Sequence, residues 1–138
     1  MSKNRKRSVF VIDDSEWHNI YLRCVLENKG YQVQTFNEGE HMLKCIEKQK
    51  PHLIISDINM PEMNGFELLE EIRKIPSADQ VPVIYVSSEV SDWIMREIRK
   101  EEIIEFIKKP LDEEYILESV DRHLGDPGES LSEKVHAG

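Results

Sequence analysis

The sequence predicts an α/β fold in which a doubly wound parallel sheet carries helices on both faces. The first observation is a strict alternation of short apolar runs with segments whose apolar residues recur every three or four positions. The second is that 138 residues suit one domain with one core. Strict alternation of strands and helices indicates parallel strands joined by crossover helices, which cover both sides of the sheet.

The first strand–helix pair begins with a strand at residues 8–12, a continuous run of strand formers. Apolar residues at helical spacing then predict one face of the first helix; they are Trp17, Ile20, Tyr21, Cys24 and Val25. Gly30 suits the C-cap of that helix. Residues 31–36 alternate between apolar and polar, which is typical of a half-exposed strand. A short second helix closes before Pro51, and its apolar residues are Met42, Leu43 and Ile46.

The other three pairs follow the same alternation. Residues 52–56 and 83–86 predict the third and fourth strands, and residues 103–107 predict the fifth. Helix starts are predicted after Gly65, at Ser91 or Asp92 as N-cap, and at Asp112 as N-cap. The apolar residues of these three helices are Phe66, Leu69, Ile72, Trp93, Ile94, Ile98, Tyr115, Ile116, Leu117, Val120 and Leu124.

The type of each strand predicts its place in the sheet. The first, third and fourth strands are continuous runs, so both of their faces should be covered and they should be central. The alternating second strand suits an edge. Both requirements are met by the strand order 2-1-3-4-5, which is already known for sheets of this kind.

Composition excludes several classes of function. The net charge is -9, from 18 basic and 27 acidic residues, which disfavours binding to nucleic acids or to anionic membranes. No apolar run approaches the roughly 20 residues of a membrane span. The apolar run after the N-terminus is too short for a signal peptide, so we expect a cytoplasmic protein. Cys24 and Cys45 lack metal-type spacing and are expected to be reduced, packed thiols.

The chain divides into one folded domain and two tails. Residues 1–7 form a basic N-terminal tail, and residues 8–124 form the domain. Residues 125–138 are polar and without periodicity, which predicts a disordered C-terminal tail.

Polar side chains follow four of the predicted strands. Asp13 and Asp14 follow the first, Asp57 follows the third, Ser87 follows the fourth and Lys109 follows the fifth. The carboxyl ends of parallel strands share one edge of the sheet, where ligands of open α/β sheets bind. Three neighbouring carboxylates repel one another unless a cation lies among them. Among hard divalent cations with oxygen ligands, magnesium fits best.

These residues resemble the receiver domain of bacterial two-component response regulators over about residues 8–124. The motifs are the pair Asp13-Asp14, the stretch 57–61 with Gly65 eight residues after Asp57, and then Ser87 and the pair Lys109-Pro110. Each motif is weak alone, but their order and placement together are specific. The chain is most similar to the stand-alone, chemotaxis-type members, which implies a flavodoxin-like (βα)5 sandwich.

The resemblance implies a role for each residue of the site. Asp57 would be the phosphoacceptor and, with Asp14 and the backbone carbonyl of Asn59, a direct ligand of Mg²⁺. Asp13 would act mostly through metal-bound water, so the metal site comprises Asp13, Asp14, Asp57 and Asn59. Ser87 and Lys109 would contact the phosphoryl oxygens.

The resemblance also implies the partners and the signal. The phosphoryl donor would be a sensor histidine kinase or a histidine phosphotransfer protein, and the output protein is unknown. Ser87 and Phe106 would form the switch that changes the partner-binding surface. The chain would catalyse only its own phosphorylation and dephosphorylation, so it would not be an enzyme for an external substrate.

Neighbouring residues of the same type compete for two of these roles. Ser88 lies beside Ser87, whose position relative to Asp57 favours it as the phosphoryl contact. Lys108 lies beside Lys109, but alternation along the strand places the two on opposite faces. In the receiver family the site lysine precedes a proline, so the resemblance favours Lys109, which Pro110 follows.

Two further positions bear on how long the signal lasts and where it goes. Asn59 and Glu89 lie two residues beyond Asp57 and Ser87, where we expect them to flank the path of a hydrolytic water. In the receiver family a polar or acidic pair at these places goes with faster self-dephosphorylation, so the resemblance implies a short-lived phosphoryl group. Many receivers have Gly-Ala just before the last strand, where this chain has Glu102 and Ile103. This departure predicts a differently shaped turn at the output surface.

Three other functions compete with the receiver hypothesis. An aspartyl-phosphate phosphatase would need a second acid two residues after the nucleophile, and Asn59 occupies that place. A flavin-binding module would need a phosphate loop after the first strand, where an acidic loop would repel the phosphate. An unphosphorylated docking module would not need the complete set of site residues.

Overall fold

A computed structural model of the chain describes residues 6–100 and 105–125. Within these ranges five parallel strands form one sheet in the order β2-β1-β3-β4-β5, as predicted. The strands are β1 Ser8–Ile12, β2 Gln32–Phe36, β3 Leu53–Asp57, β4 Val83–Ser87 and β5 Glu105–Lys108. The helices are α1 Glu16–Lys29, α2 Gly39–Lys48, α3 Gly65–Arg73, α4 Asp92–Lys100 and α5 Glu113–Leu124, with a short 3₁₀ helix at Pro76–Ala78.

The predicted central strands are central. Every residue of β1, β3 and β4 is buried, whereas β2 and β5 lie at the edges and are partly exposed. Side chains of successive strand residues enter two separate cores. One core packs α2, α3 and α4 against residues such as Phe10 and Tyr85. The other packs α1 and α5 against residues such as Val11 and Ile55.

The register of the strands aligns their carboxyl ends. Ile12 lies opposite Ser56, Asp57 lies opposite Val86, and Ser87 lies opposite Lys108. The residues at or just after these positions therefore meet at one edge of the sheet. This alignment gathers the candidate site.

The predicted inner face of α1 is right for Val25, which is buried, and for Tyr21, which packs against the core, but wrong for the other three residues. Trp17 is 81% exposed, Ile20 is 47% exposed and Cys24 is also exposed. The buried residues of α1 are Asn19, Leu22, Val25 and Leu26. The side-chain amide of Asn19 donates to the backbone carbonyls of Asp13 at 2.9 Å and of Phe36 at 3.0 Å. These buried hydrogen bonds favour the observed rotation of the helix, since breaking them would leave polar groups unpaired.

The cysteine prediction holds only in part. Cys24 and Cys45 are both free thiols, as expected. Cys45 is partly buried, but Cys24 points to solvent with the exposed face of α1.

Helix caps account for several boundaries. Gly30 adopts the left-handed conformation, with φ 109°, and ends α1 as predicted. The carbonyl of Ser91 accepts the N–H of Met95 at 3.0 Å, which identifies Ser91 rather than Asp92 as the N-cap of α4. The side chain of Asp112 accepts the N–H of Tyr115, which confirms the predicted cap of α5.

Four of the five strands differ from the predicted ranges by one or two residues; β3 begins and ends one residue later than predicted, and β4 ends one residue later. β2 begins at Gln32, because the N–H of Tyr31 donates to the carbonyl of Leu26 in the turn that ends α1. β5 extends to Lys108, and residues 103 and 104 lie outside the described residues. Glu102 and Ile103, which predict an unusual turn, fall in the same gap, and residues 1–5 and 126–138 of the two predicted tails also lie outside the described residues. Across 6–100 and 105–125, none of the helices has the length and apolarity that crossing a membrane requires.

Gly65 allows α3 to start directly beneath the loop that follows β3. A Cβ atom at Gly65 would lie 2.6 Å from the carbonyl oxygen of Asp57 and 3.1 Å from the Cα of Ile58. The same glycine donates its N–H to the carbonyl of Ile58 at 2.9 Å. The Asn64 side chain caps the helix in a capping box with Glu67. The contact is between two backbones, so it leaves no room for a side chain.

We predict that Gly65→Ala destabilises the protein by about 1 to 3 kcal/mol, because the added methyl group would overlap backbone that cannot move freely. Gly39→Ala is the matched control. A Cβ atom at Gly39 would meet the side-chain sulfur of Met63 at 2.9 Å, and that flexible side chain can shift. Urea unfolding of both variants measures the difference. Equal stabilities of the two variants would contradict the close approach at Gly65.

Candidate functional site

Three carboxylates lie together at the carboxyl edge of the sheet. One oxygen from each of Asp13, Asp14 and Asp57 lies within 4.8 Å of the other two. Asp13 and Asp57 are buried, with 1% and 5% exposure, whereas Asp14 is exposed. Such crowding of like charges is unfavourable unless a cation compensates for it. The donor set, three carboxylates with one side open to solvent, fits a hard divalent cation such as Mg²⁺.

Lys109 supplies one positive charge to this cluster. Its Nζ lies 2.8 Å from Oδ2 of Asp13 and 3.6 Å from Oδ1 of Asp57. The backbone N–H of Lys109 donates to the carbonyl of Ser87 at 2.8 Å, and a cis peptide bond joins Lys109 to Pro110. Lys108 is exposed, so the structure brings Lys109 and not its neighbour to the acids.

The electrostatics of the cluster act most strongly on Asp57. Its pKa is raised to about 6, first by burial and then by the charge of Asp13, with a smaller contribution from Asp14. Lys109 and the N–H of Ile58 oppose this rise in pKa. One ammonium group therefore does not fully offset three carboxylates. Near neutral pH the Asp57 carboxyl is still mostly ionised, as a nucleophile must be.

Asp13 is held in place by its own neighbours. Its Oδ1 accepts the backbone N–H of Ser15 at 2.8 Å, and its Oδ2 accepts the ammonium of Lys109. Asp13 therefore has one oxygen bound to backbone and one bound to lysine. This pairing suits the predicted indirect role at a metal better than direct ligation through both oxygens.

His18 is a member of the site that the sequence did not reveal. Its Nδ1 lies 3.3 Å from Nζ of Lys109 and 3.6 Å from Oδ2 of Asp13. The signal that could have revealed it is position, because His18 lies one helical turn after Asp14 at the start of α1.

Ser87 is fully buried at the end of β4. Its Oγ accepts the N–H of Glu89 at 3.0 Å and lies 3.4 Å from the side-chain nitrogen of Asn59. Ser88 is exposed, so Ser87 is the serine that belongs to the interior of the site.

Asn59 and Glu89 lie side by side at the mouth of the site. The side-chain amide of Asn59 donates to Oε1 of Glu89 at 3.0 Å. The indole N–H of Trp93 donates to the other carboxylate oxygen, Oε2, at 3.2 Å. The predicted pair is thus in direct contact, and a residue of α4 that the sequence assigned only to packing is joined to it.

Phe106 lies on β5 opposite Tyr85 of β4. Its ring is half-buried and packs against the core that contains α2, α3 and α4. The residue therefore occupies a position between the sheet edge and solvent, and its assignment to the switch stays a prediction.

Comparison with known proteins identifies the family. The family profile described as "Response regulator receiver domain" matches residues 9–121. The two-component response regulator ORR3 of Oryza sativa subsp. indica is 32% identical over 104 residues, which are 75% of this chain and 79% of that protein.

Two solved structures share the fold. Chemotaxis protein CheY4 of Vibrio cholerae superposes with a TM-score of 0.81 at 28% identity, covering 86% of this chain and 99% of that one. The receiver domain of sensor histidine kinase PA1611 from Pseudomonas aeruginosa PAO1 gives a TM-score of 0.79 at 18% identity, covering 88% and 99%. That domain was solved with a magnesium ion coordinated in its active-site cleft.

Receiver domains are signalling modules that histidine kinases phosphorylate, and they bind Mg²⁺ at an acidic pocket. The predicted resemblance is confirmed by a profile match that spans most of the chain and by the identity shared with ORR3. This chain belongs to the response regulator receiver domain family.

Proposed function

We propose that this chain is a phosphorylation-dependent switch in which Asp57 accepts a phosphoryl group from a histidine kinase or a histidine phosphotransfer protein. The observation that carries the proposal is the gathering of Asp13, Asp14 and Asp57 within 4.8 Å, with Lys109 bound among them. A buried and incompletely compensated carboxylate beside a cation-binding set is what acceptance of a phosphoryl group requires.

The carboxylates and one carbonyl would hold Mg²⁺. Asp14 and Asp57 would be direct ligands together with the backbone carbonyl of Asn59, and Asp13 would contribute through water. When bound, Mg²⁺ neutralises charge on the phosphoryl oxygens and orients the group for in-line attack.

The residues of the chain perform the transfer itself. A carboxylate oxygen of Asp57 forms a bond to phosphorus while the bond from phosphorus to the donor imidazole nitrogen breaks, and that electron pair stays on the nitrogen. Lys109 leaves its contacts with Asp13 and Asp57 and binds a phosphoryl oxygen as a point charge. The Ser87 hydroxyl donates to another phosphoryl oxygen.

Movement of Ser87 would carry the signal. Its Oγ accepts the N–H of Glu89 in the present state, so a new bond to phosphate would pull on the loop between β4 and α4. The space released would let Phe106 turn further inward. The surface formed by α4, β5 and α5 would then change shape as a two-state element.

The contacts of Asn59 disfavour the competing phosphatase function. That function needs an acid two residues after the nucleophile, but here an amide donates to Glu89 instead of acting as an acid. The charged cluster also disfavours an unphosphorylated docking module, because a docking surface alone gives no reason to bury repelling carboxylates.

Transfer of a phosphoryl group to Asp57 tests the proposed function directly. Incubation with Mg²⁺ and acetyl phosphate should add the mass of one phosphoryl group, measured by intact mass spectrometry. Asp57→Asn should abolish the addition, because an amide is not a nucleophile for phosphorus. Asp79→Asn, the same change at an exposed aspartate, is the matched control and should leave it intact. An unmodified wild-type chain, or an Asp57→Asn variant that still gains the mass, contradicts the proposal.

The stability of the metal-free protein tests the raised pKa of Asp57. The pKa of Asp57 is about 6 in the folded chain, above its ordinary value of 3.8, so folding favours the protonated form. Its contribution to stability is present below about pH 4 and is lost as the pH rises through about 6. Asp57→Asn should therefore stabilise the metal-free protein near neutral pH by about 2 kcal/mol, measured by urea unfolding with a chelator.

Adding Mg²⁺ should make the wild type more stable than Asp57→Asn. The ion stabilises the wild type by binding only the folded state, and it should stabilise Asp57→Asn less because one ligand is then an amide. If the stability gained by Asp57→Asn does not grow between about pH 4 and 7, or if the wild type does not respond to Mg²⁺, the raised pKa of Asp57 and the proposed cation site are contradicted.

The lifetime of the phosphoryl state tests the role of Asn59 and Glu89. The double variant Asn59→Arg, Glu89→Tyr removes the polar pair beside the path of the hydrolytic water. We expect dephosphorylation to slow by roughly five- to tenfold, the worth of one or two hydrogen bonds to that water. Decay of the phosphorylated mass after removal of acetyl phosphate measures the rate, and an unchanged rate would exclude this role of the pair.

A further inference from the structure

A chain of hydrogen bonds leads from the candidate site to helix α4. Ser87 Oγ lies 3.4 Å from the side-chain nitrogen of Asn59, and that amide donates to Oε1 of Glu89 at 3.0 Å. The indole N–H of Trp93 donates to Oε2 of the same carboxylate at 3.2 Å. Both carboxylate oxygens of Glu89 are therefore engaged, one by the loop that follows Asp57 and the other by α4.

Trp93 is a well-anchored donor. It is the second residue of α4, and its ring packs edge-on against Phe66 of α3, with 5.9 Å between the ring centroids and an interplanar angle of 82°. The next residue, Ile94, is fully buried. Packing fixes the ring and therefore the direction of its N–H. The indole thus donates toward one position, which Oε2 of Glu89 occupies.

Glu89 needs such an anchor. Its side chain is near solvent, where a long carboxylate would otherwise sample several rotamers, and fixing it costs conformational entropy. Asn59 and Trp93 each donate to one of its carboxylate oxygens, so two directional contacts hold the group at once.

We propose that Trp93 is a positioning residue for dephosphorylation, which holds the Glu89 carboxylate beside Asn59 at the path of the attacking water. The inference rests on the proposed function. In the step concerned, the water oxygen bonds to phosphorus as the bond from phosphorus to Asp57 breaks. The electron pair of that bond stays on the Asp57 carboxylate, and the water proton ends on the released phosphate.

The test compares Trp93→Phe in two backgrounds. Phenylalanine keeps an aromatic ring against Phe66 but has no N–H to donate, so Glu89 is released. We expect dephosphorylation of the acetyl phosphate-treated protein to slow by roughly three- to tenfold, the worth of one hydrogen bond. In a Glu89→Ala background the same change should have no further effect, because Trp93 acts through Glu89.

Fluorescence gives a second readout that a purely packing role would not move. The chain has two tryptophans, and Trp17 is 81% exposed and belongs to the outer face of α1. In a Trp17→Phe protein, emission comes from Trp93 alone. Glu89→Ala should shift this emission in the unphosphorylated protein, because the indole N–H loses the carboxylate that accepts its hydrogen bond.

The outcomes distinguish failure of the positioning role of Trp93 from failure of the proposed function. An unchanged rate in Trp93→Phe, or an equal slowing in the Glu89→Ala background, overturns the positioning role while leaving phosphorylation of Asp57 intact. A Trp93 emission that Glu89→Ala leaves unchanged overturns it as well, and this measurement serves even where Trp93→Phe folds poorly. A wild-type chain that takes up no phosphoryl group overturns the proposed function and the role of Trp93 with it.

Discussion

Repulsion among three carboxylates at one edge of the sheet is the constraint on which the rest of the site depends. Asp13 and Asp57 are buried, and Asp14 lies beside them, and burial together with the charges of Asp13 and Asp14 raises the pKa of Asp57. The neighbouring groups reduce this rise in pKa without removing it. Lys109 binds Asp13 at 2.8 Å and approaches Asp57 at 3.6 Å, and the pKa of Asp57 nevertheless remains near 6. The site therefore has an excess of negative charge that a divalent cation would neutralise.

The fold is what makes such crowding possible. Parallel strands in register bring the ends of β1, β3, β4 and β5 to the same edge, and the buried faces of β1, β3 and β4 keep those ends from moving apart. Gly65 adds a backbone contact that lets α3 begin directly against the carbonyl of Asp57. The free energy that holds the carboxylates together comes from the two apolar cores, one on each face of the sheet.

Two links between the site and the helix–strand surface beside it bear on the proposed signal. The switch that we propose would run from Ser87 through the loop after β4 to Phe106, which is half-buried beside the core. The other runs through Asn59 and Glu89 to Trp93 on α4. They share the loop between β4 and α4, so a change at the phosphoryl group would act on both. In this chain α4 is therefore tied to the site by a side-chain hydrogen bond as well as by backbone connectivity.

The sequence alone determined the strands, their order, and which carboxylates, serine and lysine stand at the site. These features depend on local periodicity and on the place of a residue at a strand end, and neighbouring residues encode both. The tertiary structure decided the rotation of α1, where buried Asn19 makes hydrogen bonds and the predicted apolar residues Trp17 and Ile20 face solvent. It also decided that His18 meets Lys109 and that Trp93 meets Glu89. These details depend on how a helix is turned and packed against partners distant in the chain, and no local pattern of residues carries that information.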